Sequence, residues 1–316
     1  MDPTSKKIML TFAIFLVIVC VFRGTRRVYE NAVRRLDNVF RPDFKQSIES
    51  PRMRQYTMSE IMKLENGLTP AHDEELIRYI QQRYLIYPLN TVDTPSGPEV
   101  HKSQAGQSQL VDKLLKRKRN GFFIEVGAHN GVQLSNSYFF EKHRGWTGLL
   151  MEPNTVPFQN ILVNRQRSYA INACIATTNK SKKVTFTTHK ITEYRQISPD
   201  STNNKKGTTD SKSSFPLYSV LKAIGAYTVD YFSLDIEGQE LDVLKTIPWD
   251  KIRINVITVE YRATPGTQNF TEVSEKRQKA FMEYFQELGI YNYLGILRFN
   301  NTTGSYLDLV FARKDL

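Results

Sequence analysis

The feature that most constrains the fold of this chain is a regular alternation of short apolar runs and helical stretches, which starts at Gly121. The apolar runs predict strands at Phe122–Val126, Gly148–Met151, Tyr169–Ile175, Lys183–Thr188, Val229–Ile236, Ile252–Glu260 and Ser305–Arg313. The stretches between them predict helices at Leu134–Arg144, Phe158–Arg165, Tyr218–Ile224 and Glu275–Leu288. Strands that alternate with helices predict an α/β domain with a parallel, doubly wound sheet.

One polar segment interrupts this alternation. Residues Tyr194–Ser214 consist mainly of Ser, Thr, Asn and Lys and carry almost no apolar side chains. A segment that cannot bury apolar surface is expected to stay outside the core. We therefore predict a mobile loop at this place.

An uncharged apolar run lies near the N-terminus. Ile8–Phe22 contains no charged residue over 15 positions. As a helix it would be about 22 Å long, which is short of the ~30 Å hydrocarbon core of a bilayer. It is either the apolar part of a cleaved signal peptide or a short signal anchor, which suits the thinner membranes of the early secretory pathway. No small-x-small cleavage pattern follows, so the anchor is favoured.

The chain is thus expected to have four parts. A short tail covers residues 1–7, a transmembrane signal anchor covers 8–22, and a stem with a linker covers 23–106. Within the stem, an amphipathic helix is predicted near residues 73–87, because apolar side chains recur there at helical spacing. The α/β domain covers residues 107–316.

The chain is basic, with a formal net charge of +11. Its run Lys113–Arg119 ends in Lys116–Arg119, the last turn of a helix predicted with Ser108 as its N-cap, and cations suit the negative end of a helix dipole. Aromatic side chains that would stack on bases do not interleave with this run. We therefore expect no nucleic-acid partner.

The first predicted strand runs into a glycine-containing turn, with the sequence FFIEVGAHNG from Phe122 to Gly131. Glycines at a strand-to-helix turn let the backbone approach a ligand closely. The spacing is not G-x-G-x-x-G, which disfavours a dinucleotide pyrophosphate. S-adenosylmethionine (SAM) has no phosphate and carries an ammonium group, which Glu125 at the strand end can meet. The alternative is a plain turn without a ligand.

A second acid, Glu152, ends the next predicted strand, 27 residues after Glu125. A carboxylate at such a strand end can accept hydrogen bonds from both hydroxyls of a ribose. The alternative for a single strand-end Glu is a solvated loop residue. The paired placement of Glu125 and Glu152 favours the cofactor site.

A third acidic stretch follows the fourth main strand, with the sequence LDIEGQE from Leu234 to Glu240. Asp235 and Glu237 are candidates to orient an acceptor hydroxyl group or to take its proton. Glu240 opens the next helix, where a carboxylate also suits the helix dipole. No metal site is expected, because Asp235 and Glu237 lack clear partners for an oxygen-ligand cage and no Cys/His cluster has zinc spacing.

These three blocks together, with GWTGLLMEP from Gly145 to Pro153 as the second, resemble the FkbM family of SAM-dependent methyltransferases. The resemblance covers about Gly121 to Arg313 and implies a Rossmann-like sheet of the SAM methyltransferase type. It also implies O-methyl transfer to sugars or other small hydroxyl compounds. The implied cofactor-binding residues are Glu125, Gly127, Ala128, Asn130, Gly131 and Glu152.

A narrower resemblance is to the insect protein Star and its arthropod relatives, carried by the N-terminal anchor, by GWTG from Gly145 and by Asp230–Trp249. That branch implies a single-pass protein that assists the export of membrane-bound growth-factor precursors of the epidermal growth factor class from the endoplasmic reticulum to the Golgi. Methyl transfer is not assured for that branch. The polar insert at Tyr194–Ser214 departs from the broader FkbM pattern.

The orientation of the domain in a membrane rests on two opposing signals. Five arginines follow the apolar run within residues 23–35, which by the positive-inside rule predicts a cytosolic domain. Four N-x-Ser/Thr sequons, at Asn179, Asn269, Asn300 and Asn301, favour the lumen. Together with the resemblance, they lead us to expect a lumenal domain in the endoplasmic reticulum or Golgi.

Overall fold

The computed structural model describes residues 54–89, 98–188, 195–197, 208–263, 267–298 and 306–316. Residues 56–316 form one compact unit. The tail, the predicted anchor at 8–22 and the sequons at Asn300 and Asn301 lie outside the described residues. Within the described residues, none of the helices has the length and apolar character needed to cross a bilayer.

Eight helices are described: α1 Met58–Leu64, α2 Glu74–Arg83, α3 Gln107–Leu114, α4 Tyr138–His143, α5 Thr155–Asn164, α6 Leu217–Ile224, α7 Glu240–Lys245 and α8 Phe270–Leu288. The strands of the first half are β1 Asn66–Pro70, β2 Phe122–Val126, β3 Thr147–Met151, β4 Tyr169–Ile171, β5 Cys174–Ile175 and β6 Lys180–Thr188. The later strands are β7 Arg195–Ile197, β8 Thr208–Phe215, β9 Thr228–Leu234, β10 Arg253–Glu260, β11 Tyr291–Arg298 and β12 Tyr306–Arg313.

The main sheet has seven strands in the order β11-β12-β10-β9-β2-β3-β4. Strands β10, β9, β2, β3 and β4 are parallel, whereas β12 runs antiparallel to both of its neighbours. The chain moves outward from β2 through β3 to β4, then returns and moves outward the other way from β9 to β10. This reversal between β2 and β9 is the point at which doubly wound sheets bind ligands.

Both faces of this sheet are covered, because successive side chains of a strand point to opposite faces. Ile124 and Val126 of β2 belong to a large apolar cluster with side chains of α2, α6, α7 and α8. Phe123 belongs to a second cluster with side chains of α3, α4 and α5. The predicted α/β class with a Rossmann-like, doubly wound sheet is confirmed.

Two features of the main sheet differ from the prediction. Strand β11 was not predicted, and it completes an antiparallel edge with β12. The helix predicted at Leu134–Arg144 is shorter in the structure and covers only α4. The residues just before α4 bind a side chain of β2 instead. Ser135, Asn136 and Ser137 donate hydrogen bonds to the carboxylate of Glu125 rather than continue a helix.

A second sheet has the order β1-β6-β8-β5, with β7 paired to β6. The prediction of a mobile loop at Tyr194–Ser214 is therefore wrong for its described residues, since β7 and most of β8 fall in it. Residue 194 and residues 198–207 lie outside the described residues. Apolar and polar side chains do not alternate along β8, so the sequence does not indicate a strand there. Backbone pairing with β6 holds this segment as a strand instead. The single strand predicted at Tyr169–Ile175 is divided between the two sheets.

The predicted helix near residues 73–87 is present as α2. Asp73 is its N-cap and accepts a hydrogen bond from the Leu76 backbone N–H at 2.9 Å. Leu76 and Ile80 are completely buried and lie in the large apolar cluster with α6. The compact unit thus includes residues that the sequence analysis placed in the stem.

Candidate functional site

A cavity lies at the carboxyl ends of β2, β3, β9 and β10, which is the edge predicted for a ligand. Its walls come from the turn after β2, from Glu152–Asn154, from Ala173–Ile175 and from the segment after β9. Six of the predicted residues line it: Glu125, Gly127, Ala128, Glu152, Asp235 and Glu237. The structure therefore brings the three sequence motifs to one place.

Glu125 is at the end of β2 and is almost fully buried. Its Oε1 accepts from the Asn136 backbone N–H at 2.8 Å, and its Oε2 accepts from the hydroxyls of Ser135, at 2.8 Å, and Ser137. The Arg165 guanidinium lies 3.8 Å from Oε2. This carboxylate therefore holds the segment between β2 and α4 in place, and any contact with a ligand comes in addition to that role.

Gly127 follows β2 with a φ of +85°, a conformation that favours glycine. A Cβ at this position would lie 1.9 Å from the backbone oxygen of Asp235. Its N–H donates to the carbonyl oxygen of Met151 at 3.0 Å. The turn is thus pressed between the ends of β9 and β3, which are the two strands that carry the other acids.

Two predicted cofactor residues lie behind the cavity wall. The side chain of Asn130 accepts hydrogen bonds from the Val132 and Gln133 backbone N–H groups and so shapes the turn. Gly131 faces Arg165, because a Cβ there would lie 2.7 Å from the Arg165 Cγ. Neither residue is among those that line the cavity, although the Gly131 N–H donates to the carbonyl oxygen of Ala128, which does, at 2.8 Å.

Glu152 follows β3 and is only 7% exposed. Its Oε2 accepts from the His129 backbone N–H at 2.9 Å, and its Oε1 accepts from the Asn154 backbone N–H at 2.7 Å. These two bonds orient the carboxylate at the cavity wall and connect the turn after β2 to the end of β3. His129 itself also lines the cavity, beside these bonds.

Asp235 and Glu237 follow β9 directly. The Asp235 side chain is open to the cavity while protein surrounds it on the other sides, and this burial raises the pKa of its carboxyl group. Glu237 has a φ of +63°, so the backbone turns sharply beside the cavity. Both predicted catalytic residues therefore face the same space.

Three further acidic residues lie near Asp235, and the sequence did not point to them as site residues: Glu240, Glu260 and Asp308. Burial raises the pKa of Glu240, at the start of α7, to about 7. It also raises the pKa of Asp308, on β12, to about 7. The carboxyl group of Glu260, at the end of β10, has a pKa well above its ordinary value because of burial and the charge of Asp235. The strand-end position of Glu260 and the helix-start position of Glu240 were the only signals in the sequence, and Asp308, inside β12, had none.

The expectation that Asp235 lacks acidic partners is not met. Three carboxylate oxygens, one from each of Asp235, Glu240 and Glu260, lie within 4.8 Å of one another. Three different elements supply these side chains, which is why spacing along the chain did not reveal the cluster.

The cavity is strongly acidic although the chain is basic. Six carboxylates line it, from Glu125, Glu152, Asp235, Glu237, Glu260 and Asp308, and no Lys or Arg is among the described lining residues. This stands against a formal net charge of +11 for the whole chain. The ionised members of this set attract cationic ligands and repel phosphates, while burial raises the pKa values of Asp235, Glu260 and Asp308.

Several solved structures are similar at low identity. The Methanococcus jannaschii fibrillarin, a pre-rRNA processing protein, has 12% identity over 62% of this chain and 67% of its own, with a TM-score of 0.37. The Aeropyrum pernix fibrillarin with natively bound S-adenosyl-L-methionine has 12% identity, coverages of 66% and 76%, and a TM-score of 0.37. The METTL16 methyltransferase domain has 13% identity, coverages of 75% and 76%, and a TM-score of 0.38.

No curated protein matches the chain significantly. A sequence family does: the model of the methyltransferase FkbM domain matches residues 125–291, which is more than half of the 316 residues. The match begins at Glu125 and spans all three acidic motifs that meet in the cavity. The chain belongs to the methyltransferase FkbM domain family.

Proposed function

We propose that this protein binds SAM in the acidic cavity and transfers the methyl group to a hydroxyl group of a small compound or a glycan. The observation that carries this proposal is the lining of six carboxylates without Lys or Arg among the described lining residues. SAM bears an ammonium and a sulfonium group and no phosphate, so this lining suits its charge.

The residues fit the parts of SAM. Glu152, oriented by two backbone N–H groups, stands where a ribose diol would meet a carboxylate. Ala173, Cys174 and Ile175 give the same cavity an apolar wall against which a base can pack. Glu125 places negative charge beside the turn at Gly127, where the ammonium group would lie.

Asp235 and Glu237 are proposed to handle the acceptor. Bound SAM would supply a methyl group on a positively charged sulfur. Asp235, which is open to the cavity at the end of β9, would accept the proton of the acceptor hydroxyl. Correct placement of two bound reactants can contribute up to ~7–11 kcal/mol to such a reaction.

Calorimetric titration of the purified full chain with SAM tests this proposal. We expect micromolar binding and at least about a tenfold loss in Glu152→Ala, because one bidentate carboxylate–diol contact is worth on the order of 1.5–3 kcal/mol. Glu152→Gln keeps the size of the side chain and one acceptor oxygen, which can serve only one of the two N–H groups of His129 and Asn154, and so is the milder variant. Glu275→Ala, at an exposed position of α8, is the matched control. Absence of SAM binding by the folded wild-type chain would contradict the proposal.

The cellular setting is part of the proposal. Residues 8–22 would anchor the protein as a single-pass membrane protein of the endoplasmic reticulum or Golgi, with the α/β domain in the lumen. The uncharged apolar run supports the anchor. The sequons at Asn179 and Asn269 support the lumenal orientation, because both asparagines are exposed and accessible to glycosylation.

A second candidate function is that of a Star-like trafficking factor without catalysis, which would help to export growth-factor precursors of the epidermal growth factor class. One observation favours it: the carboxylate of Glu125 is engaged by three internal donors, so the motif has a purpose in folding alone. Co-precipitation with such a precursor that Glu152→Ala leaves unchanged, together with no SAM binding, would select this function.

A further inference from the structure

The acid cluster formed by Asp235, Glu240 and Glu260 lies in and beside the wall of the cavity. Asp235 follows β9, Glu240 is the first residue of α7, and Glu260 is the last residue of β10. One oxygen from each carboxylate falls within 4.8 Å of the other two. Three ionised carboxylates at this spacing repel one another.

The cluster has no cationic partner of its own within contact distance. Among the residues that the structure describes, no Lys, Arg or His nitrogen lies within 4.0 Å of these three carboxylates. The basic group nearest in the chain is Arg262, two residues after Glu260, whose charge lowers the pKa of Asp235. The Arg262 guanidinium packs over the Phe270 ring, and its Nε has no hydrogen-bond partner.

A second observation points to an absent ligand. Oε2 of Glu260 is buried and has no hydrogen-bond partner, although the carboxyl group also shares a hydrogen bond with Asp235. Buried carboxylate oxygens are nearly always paired, because an unpaired one loses its hydration without compensation. Glu240, by contrast, is oriented by the Ile236 and Gly238 backbone N–H groups, which both donate to its Oε1 at 2.9 Å.

We infer that Asp235, Glu240 and Glu260 hold one divalent cation of the class that prefers oxygen ligands, namely Ca²⁺, Mn²⁺ or Mg²⁺. Carboxylates are the ligands of this class. Oxygens bound to one Ca²⁺ ion at about 2.3–2.6 Å lie at most about 5 Å apart, so the observed spacing admits Ca²⁺ as it stands, whereas the shorter bonds of Mg²⁺, about 2.1 Å, require the oxygens to lie within about 4 Å of one another. Three protein ligands leave coordination positions open, and Asp235 directs them towards the cavity.

A cation at this position would contact a substrate bound in the cavity. An acceptor hydroxyl in the cavity would take one of the open coordination positions next to Asp235, and a bound cation lowers the pKa of a coordinated hydroxyl. This consequence rests on the proposed function, whereas the presence of the cation does not.

Titration of the chelator-treated, dialysed full chain with Mn²⁺, followed by the electron paramagnetic resonance signal of free Mn²⁺, tests the inference without SAM. We expect one bound Mn²⁺ per chain, displaced by Ca²⁺ or Mg²⁺. Glu260→Gln should weaken Mn²⁺ binding at least about tenfold, because it removes one charged ligand while it keeps the shape of the side chain. Glu275→Gln, at an exposed position of α8, should bind Mn²⁺ like the wild type.

Thermal unfolding of the same proteins separates a lost site from a lost fold. In chelator, Glu260→Gln should unfold at the same or a higher temperature than the wild type, because it relieves repulsion within the cluster. Excess Mn²⁺ should raise the unfolding temperature of the wild type but not of the variant. A folded wild-type chain without bound Mn²⁺, or equal binding by Glu260→Gln, overturns the inference and leaves a proton shared between Asp235 and Glu260 as the account of the cluster. Because SAM is absent, neither result depends on the proposed methyl transfer.

Discussion

At the scale of single residues, the motif residues hold the site together as well as line it. Gly127 is in contact with the backbone of Asp235, so the turn after β2 and the end of β9 are one packed unit. Glu125 binds Ser135 and Ser137, and Glu152 binds the backbone of His129. The acids that were predicted to grip a ligand are therefore themselves held by the turn that they flank.

Gly127→Ala should destabilise the fold by more than ~3 kcal/mol. The left-handed backbone costs an alanine about 1–2 kcal/mol, and the added Cβ would also clash with a backbone oxygen that cannot rotate away. Gly225→Ala is a matched control, because Gly225 has a φ of +79° and a Cβ added there would meet no atom within 4 Å. It should cost only ~1 kcal/mol. Urea unfolding measures both, and equal losses would show that the contact with Asp235 does not matter.

At the scale of elements, the segment before residue 107 is part of the domain. Helix α2 packs on α6, and β1 pairs with β6 of the second sheet. The Glu65 carboxylate connects these parts, since it accepts hydrogen bonds from the hydroxyls of Tyr79 and Ser213 at 2.8 Å. The second sheet in turn contacts the site edge, where the Lys212 ammonium donates to Asn172 at 2.9 Å.

Leu76→Ala should therefore lower the free energy of unfolding of the whole domain by about 2–5 kcal/mol, as expected for a leucine in a packed core. Leu76 is 0% exposed in the large apolar cluster. Leu68→Ala is the control from the same segment, because Leu68 on β1 is 70% exposed and its loss should stay within about 0.5 kcal/mol. Chemical denaturation distinguishes them. A small effect of Leu76→Ala would mean that α2 docks only loosely.

At the scale of the whole molecule, charge is distributed unevenly. The chain carries a net charge of +11, yet the cavity wall holds six carboxylates. The excess positive charge therefore lies elsewhere on the protein. The acidic lining of the cavity can still attract a cationic ligand. The FkbM match spans the motifs that supply this wall, along residues 125–291.

The proposed lumenal orientation predicts N-linked glycans on the full-length protein expressed in secretory cells. Treatment with an N-glycosidase should lower its apparent mass, and Asn179→Gln with Asn269→Gln should reduce that change, because both asparagines are exposed. Thr271→Ala, at an exposed position, removes the Asn269 sequon while it keeps the asparagine, which controls for effects of the amide itself. A mass that glycosidase does not change would place the domain in the cytosol, as the arginines after the anchor predict.

The amino-acid sequence alone determined the α/β class, most strands of the main sheet and the edge where Glu125, Glu152, Asp235 and Glu237 meet. It could do so because periodicity is local and because parallel strands end at a common edge. It also carried the three blocks of the FkbM resemblance, which the family match at residues 125–291 supports.

Only the tertiary structure decided which polar groups meet across long stretches of chain. The cluster of Asp235 with Glu240 and Glu260, the bond from Gln107 to Asp308 across 201 residues, and the pairing of β8 with β6 all join distant segments. None of these contacts can be recognised from a short stretch of sequence, because the residues that form them are polar and do not follow a repeating apolar pattern. Their positions follow from how the sheets and helices pack, and that packing also placed α2 in the core.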